Sequence, residues 1–356
     1  MKMAIYAIWN NKGGVGKSYL TFQLSAEYAR QNPDKKVLVI DLCPQANASS
    51  MLLGGMFEGE KHLNAIQDAS IKERMTISGY VNQRISSPYM PTNSGAKYVT
   101  QVSRHNGNIP ENLYLVVGDD TLEIQSSRVY GATHPGPEDA WRIVHLWISD
   151  LIADIKRLWF EEEICIFIDC NPSFGIYTEL AMSAAERLII PFSSDGSSYR
   201  AVRTVLALVY GVERREEDRQ SEFFLYSERY RMALPKIYLY IGNRLTIYKS
   251  SASAFKTIVN EIGQEIWRVW ESDLAPFCVH PNGGASKPNN KRAFDRMFRY
   301  EVNDANTASV VSGALGVPIS ILTAGRKTVA GKKVMVNQSQ LDRQAPNIRQ
   351  LVSRIE

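Results

Sequence analysis

The densest chemistry in the chain lies in Asn10-Asn11-Lys12-Gly13-Gly14-Val15-Gly16-Lys17-Ser18. Glycines let successive backbone N–H groups close around phosphate oxygens with no Cβ in the way. Lys17 is placed to reach β- and γ-phosphates, and the Ser18 hydroxyl to ligate Mg²⁺. A helix starting near Lys17 aims the positive end of its dipole at the same anion. Further along, Asp169 closes an apolar run, where a carboxylate can hold the hydration shell of a divalent cation.

The elements that must position these groups are legible as apolar runs at residues 3–9, 37–40, 113–117, 164–168, 188–192 and 237–241. Such runs, continuous rather than alternating, predict strands buried on both faces. Helical spacing fills the intervals: residues 18–30 with Leu20, Leu24 and Tyr28, residues 140–159 with a full apolar stripe, and residues 182–186 and 251–270. This alternation predicts an α/β fold, a doubly wound and mostly parallel sheet. Residues 56–111, rich in Ser, Asn, Gly and Pro with Tyr80, Tyr89 and Tyr98 between, read as a surface insertion. Residues 213–220 mix charges of both signs and read as a solvated helix.

Composition narrows the classes. Of 356 residues, 44% are hydrophobic and 22% charged, which excludes a disordered or collagen-like chain. No apolar run approaches the roughly 18 residues of a spanning helix, and the start lacks the apolar core of a signal peptide. Cys43, Cys165, Cys170 and Cys278 are too scattered for a disulfide framework or zinc ribbon, which points to a reducing cytoplasm. The net charge of +4 is concentrated at the end. There Arg326, Lys327, Lys332, Lys333, Arg343, Arg349 and Arg354 face only Asp342 and Glu356. A basic segment of this kind suits a phosphate backbone or anionic lipid, and equally a solvated face. The apolar side of residues 347–356 (Ile348, Leu351, Val352, Ile355) lacks the aromatics of a membrane anchor and reads as a docked terminal helix.

Where the usual phosphate loop has an early glycine, this chain has Asn11, then Lys12 and the paired Gly13-Gly14. The run resembles the deviant Walker A loop of the ParA/MinD family of ATPases. Residues 37–47, with Asp41-Leu42-Cys43-Pro44-Gln45-Ala46-Asn47, are similar to the family's second motif, and residues 164–173 to its Walker B strand and switch. Gly242-Asn243-Arg244 ends the strand where the family binds adenine. The resemblance runs through most of residues 1–325 and so implies one P-loop NTPase domain over 1–356 rather than two. It implies ATP and Mg²⁺, with Gly13, Gly14, Val15, Gly16, Lys17, Ser18, Tyr19 and Asn243 at the nucleotide. Ser18, Asp41 and Asp169 are then at the metal, and Lys12, Lys17, Asp41 and Cys43 among the catalytic groups. An Asn amide pairs with the N6/N7 edge of adenine, and is equally at home as a turn residue.

The same resemblance implies a homodimer closing over ATP, with Lys12 of each protomer reaching the other's phosphates. It implies a partition or positioning ATPase that binds DNA non-specifically, nucleoid-associated in the cytoplasm, and segregates a DNA or other cargo with a ParB-like adaptor or cargo protein, the cargo-bound partner stimulating hydrolysis. The loop begins so near Met1 that no helix-turn-helix is expected before it. Three departures stand out. Cys43 replaces the aspartate credited with orienting the attacking water, and a thiol accepts a proton poorly. Slow hydrolysis, takeover by Asp41 or by residues 56–111, and a nucleotide-dependent scaffold with little hydrolysis all remain open. Asn171 stands for a proline and Ala46 for a glycine, the latter mild unless its φ must be positive. A membrane-cycling MinD-like ATPase is the less expected alternative, and the scattered cysteines argue against an iron–sulfur reductase.

Overall fold

Every continuous apolar run read from the sequence becomes a strand, because each strand feeds two cores. In β1 (Met3–Ile8), Ala4, Tyr6 and Ile8 enter one hydrophobic cluster while Ile5 and Ala7 enter the other. Successive side chains point to opposite sides of a pleated strand, so an apolar residue is required at each position. The computed structural model describes residues 3–68, 74–134, 136–193, 195–213, 220–245, 252–278 and 287–356. Within them β1, β2 (Lys36–Asp41), β3 (Val99–Gln101), β4 (Leu113–Val116), β5 (Ile164–Asp169), β6 (Arg187–Phe192), β7 (Lys236–Leu245) and β8 (Arg299–Asn303) form one sheet. Its order is β3-β4-β2-β5-β1-β6-β7-β8, and all pairs are parallel except β3 with β4.

Helices cover both faces, as a parallel sheet demands. On one side lie α1 (Lys17–Gln31), α2 (Asn47–Leu53), α3 (Gly55–Asp68), α13 (Thr307–Leu315) and α14 (Gln338–Val352). The other side carries α4 (Ile77–Ser86), α5 (Thr121–Gly131), α6 (Ala140–His145), α7 (Trp147–Leu158), α8 (Ile176–Ala184), α9 (Gly196–Tyr210), α10 (Glu222–Arg229), α11 (Ala252–Ser272) and α12 (Lys291–Phe298). A separate hairpin, β9 (Gly325–Val329) with β10 (Lys332–Val336), stands against α13.

Several expectations change. The stripe at residues 140–159 forms two helices, not one. The His145 ring stacks on Trp141, its Nδ1 lies 2.8 Å from the Trp141 carbonyl, and the chain turns at Leu146. Residues 182–186 are the end of α8 and its exit toward β6. Edge strand β8 escaped notice because only Tyr300 and Val302 of Arg299–Asn303 face inward.

Residues 56–111 are not a surface insertion where the structure describes them. Tyr80 and Tyr98 are fully buried, Arg84 is buried over the Trp147 ring, and β3 extends the sheet. Their polar composition serves short helices and turns, while the tyrosines supply the core contact. Residues 69–73 and the charged run at 214–219 lie outside the described residues. The terminal helix α14 docks on α1 with Ile348, Leu351 and Val352 buried. Among the described residues no helix is long and apolar enough to cross a membrane.

Candidate functional site

Parallel strands end together, so the loops after β1, β2, β5 and β6 meet at one edge of the sheet, where open α/β sheets form their clefts. A cleft of about 650 Å³ opens there. Gly14, Gly16, Lys17, Ser18, Tyr19 and Cys43 line it, together with Gln45, Met51, Glu60 and, across from the loop, Ser309, Val310 and Gly313 of α13. Gly14 (φ 76°) and Gly16 (φ 80°) hold the left-handed backbone that bends the loop, a conformation costing an L side chain roughly 1–2 kcal/mol. A Cβ on Gly13 or Gly14 would meet nothing, so the loop is open toward the cleft. Its last glycine, Gly16, caps α1.

Lys17 is buried, and its ammonium donates to the carbonyls of Lys12 (2.7 Å) and Asn10 (3.2 Å). Burial lowers its pKa, with Asp169 the main opposing influence. A buried cation held by carbonyls beside an open loop fits an anion. The Ser18 hydroxyl donates to Asp169 Oδ2 (2.7 Å) and Thr21 to Oδ1 (2.9 Å). Hydroxyl and carboxylate thus sit together, the donor set a hard divalent cation takes.

Asp41 and Asp169 are register partners on β2 and β5, both fully buried. Burial raises both carboxyls, and the Asp41 charge raises Asp169 further. Asp41 does not share Ser18. Its oxygens accept from the Ser49 N–H (2.9 Å), the Ser49 hydroxyl (2.7 Å) and the Cys43 N–H (3.1 Å). The Ser49 Oγ in turn accepts from the Gly118 N–H (2.8 Å), and a Cβ on Gly118 would press to 2.9 Å from the Asp41 carboxyl carbon. The Asp41 carboxylate therefore braces the loop that carries Cys43. Burial, then the charges of Asp41 and Asp169, push the Cys43 thiol up to about 12. It is a neutral group on the cleft wall. Ala46 does sit at positive φ (49°), so its replacement of glycine is strained.

Lys12 is held within its own chain: its ammonium pairs with Asp195 and donates to Ser193 Oγ (3.0 Å) and Ser198 Oγ (3.3 Å). Asp195 also caps α9 by accepting from the Ser197 N–H, and the Lys12 contact holds its carboxyl well below the usual range. Asn243 is buried, and its Nδ2 donates to the Val15 carbonyl (2.8 Å), so it steadies the phosphate loop and does not line the cleft. Its Oδ1 is a buried acceptor without a partner among the described residues. Tyr19 lines the cleft while its hydroxyl donates to Gln344 (3.0 Å) of α14.

Sequence reading missed Asp195, Ser49 and the α13 wall. Asp195 before a helix is an N-cap signal, but its tie to Lys12 exists only because β6 lies beside β1. Among the described residues no cluster of three or more His, Cys, Asp or Glu forms a metal site.

A family model described as an AAA domain matches residues 3–135. The chromosome partitioning protein ParA of Myxococcus xanthus is 25% identical over 209 residues, 59% of this chain and 58% of that protein. The match thus spans less than two thirds of that relative's length. Apo McdA of Cyanothece superposes with a TM-score of 0.55 at 15% identity, over 89% of this chain and 91% of that one. A McdA variant in complex with ATP gives 0.56 at 15% identity, over 99% and 96%. At such identities the likeness to McdA is one of fold.

Proposed function

We propose that the chain is a ParA/MinD-type ATPase, a reading supported by its similarity to an AAA domain model and to a ParA protein and by the paired-glycine loop, and that it is a slow ATP-driven dimerisation switch that loads onto DNA. The observation that carries this reading is the placement of two lysines around one loop. Lys17 is buried behind it, and Lys12 is at its rim, 21% exposed.

In this reading the N–H groups of residues 13–16 and the Lys17 ammonium would hold the β- and γ-phosphates of ATP, and the Ser18 hydroxyl and the Asp169 carboxylate would hold Mg²⁺, Asp169 through the cation's water shell. Mg²⁺ supplies charge neutralisation across the two phosphates when bound. Lys12 leaves Asp195 and reaches the phosphates bound by a second copy, so added charge stabilisation arrives only with dimerisation. Cys43 packs where a carboxylate would orient water, and a neutral thiol does this poorly, so turnover is slow and the dimer long-lived. Non-specific DNA is the surface it loads onto, and a ParB-like adaptor or cargo protein would set its release, with the chain nucleoid-associated in the cytoplasm. The single domain spanning 1–356 includes the basic end, 326–356.

Binding of a fluorescent ATP analogue with Mg²⁺, followed by sedimentation with ATP, ADP or neither, tests this. Lys17→Ala should lose nucleotide, and Lys12→Ala should keep nucleotide but stay monomeric. A wild-type chain without affinity for ATP, or one that stays monomeric at saturation, overturns the reading.

A further inference from the structure

The β9–β10 hairpin is a two-stranded ribbon pairing Arg326 with Met335, Lys327 with Val334, Thr328 with Lys333 and Val329 with Lys332. Its two-residue turn, Ala330 (φ 50°) and Gly331 (φ 72°), has the positive φ pair that matches the twist of a hairpin. Val336 is buried and Val329 and Val334 half-buried against the core, which fixes the ribbon's orientation. Arg326, Lys332 and Lys333 are left exposed.

These charges are uncompensated. No acidic residue occurs between Asp304 and Asp342. Among the described residues Arg326, Lys327, Lys332 and Lys333 make no ion pair, and Lys327 donates only to the Thr323 hydroxyl (2.6 Å). On α12, by comparison, Asp295 takes up Lys291 and Arg299 and Glu301 also pairs with Arg299, so acidic side chains lie among its cations, although Arg292 and Arg296 stand exposed there without an ion pair among the described residues. Like charges gathered on one ribbon repel one another, and the arrangement gains when a polyanion neutralises it.

From this we infer that the β9–β10 ribbon is the surface that grips the phosphate backbone of duplex DNA, and that α13 ties its grip to the nucleotide cleft. The inference rests on the reading above, in which DNA is the partner. A two-stranded ribbon fits the major groove of B-form DNA, and its exposed Lys and Arg suit phosphates rather than base edges. A membrane surface suits it less. The tip is Ala330-Gly331, no aromatic residue lies on the ribbon, and Met335 is the large apolar side chain exposed there. Helix α13 contacts both ribbon strands and lines the cleft with Ser309, Val310, Gly313 and Ala314. A shift of α13 on nucleotide binding would therefore move the ribbon.

The test uses the full chain, a random-sequence DNA duplex, and the variant Arg326→Ala/Lys332→Ala/Lys333→Ala. With ATP and Mg²⁺, the variant should bind duplex about tenfold or more weakly, and its slope of log K against log salt should fall by about 0.9 for each charge removed. Its ATP affinity without DNA should match wild type. Saturating duplex should tighten ATP binding to wild type by the same factor that ATP tightens DNA, and should not do so for the variant. If wild type binds duplex and the variant binds equally well with the same salt slope, the ribbon assignment is overturned while DNA remains the partner. If wild type ignores duplex, both the partner reading and the ribbon assignment fail, and ribbon-dependent sedimentation with anionic vesicles would reassign the surface to lipid.

Discussion

Lys12 and Asp195 form an ion pair inside one chain, joining the rim of the phosphate loop to the N-terminus of α9 across 183 residues of sequence. The pair exists because β1 and β6 are parallel neighbours whose following loops emerge at the same edge. In the proposed dimer Lys12 would have to leave this partner before reaching a second protomer, so the pair would oppose closure by its own strength.

Asp195→Asn tests that cost. Asparagine still caps the helix, while the charge that holds Lys12 is removed. A pair this exposed contributes at most about 1 kcal/mol, so ATP-dependent dimerisation should strengthen by about two- to fivefold in sedimentation, with Tm little changed. An unaltered or weaker dimer would show that the pair does not oppose closure.

Cys43→Asp restores a carboxylate where the chain has a neutral thiol. Hydrolysis should rise about tenfold or more in a phosphate-release assay. The nucleotide-free variant should unfold at lower temperature, because a third buried carboxylate joins Asp41 and Asp169. An unchanged rate at intact ATP affinity would remove Cys43 from the catalytic reading.

Burial raises the carboxyls of Asp41 and Asp169 in the folded chain. A carboxyl whose folded pKa is raised stabilises the fold fully below its unfolded value, about 4, and loses that contribution as pH rises through the folded value. The nucleotide-free protein should therefore lose about 2 °C or more of Tm as pH climbs from the acid side toward neutrality. Asp169→Asn should flatten that slope, and Mg²⁺ with ATP should cancel it by favouring the charged forms. A Tm that rises steadily over the same window in wild type and variant alike would contradict the assignment.

Asn243→Ala separates two roles for one side chain. Its amide steadies the Val15 carbonyl, and its Oδ1 is a buried acceptor without a partner among the described residues. If the residue only steadies the loop, ATP and GTP affinities should fall together, by about tenfold for a lost buried hydrogen bond. Should Oδ1 also accept from the adenine amino group, ATP affinity should fall further than GTP affinity and discrimination between the bases should collapse. Equilibrium titration with both nucleotides decides, and retention of both affinities would remove Asn243 from the site.

The phosphate loop, the six buried strands and the central carboxylate Asp169 were legible in the sequence because each rests on local physics. A glycine at positive φ, a lysine beside a hydroxyl, or an apolar run bounded by polar residues carries its meaning within a few positions. The docked terminal helix was legible for the same reason, from Ile348, Leu351 and Val352 on one side. Residues 56–111 were misread because composition reports turns well but is blind to a few tyrosines that reach the core. The break at Leu146 was invisible because an intact apolar stripe does not register a side chain competing for the helix carbonyl.

By itself, then, the sequence determined the class of fold, the glycine-rich loop between β1 and α1, and the departure at Cys43. Tertiary structure alone decided that Asp41 braces Ser49, that Asn243 grips Val15, that Asp195 holds Lys12, and that α13 lines the cleft while contacting both strands of a basic ribbon. The physical reason is strand order. Residues far apart in the chain become neighbours only when β1 takes its place between β5 and β6, and nothing local in the chain encodes that adjacency.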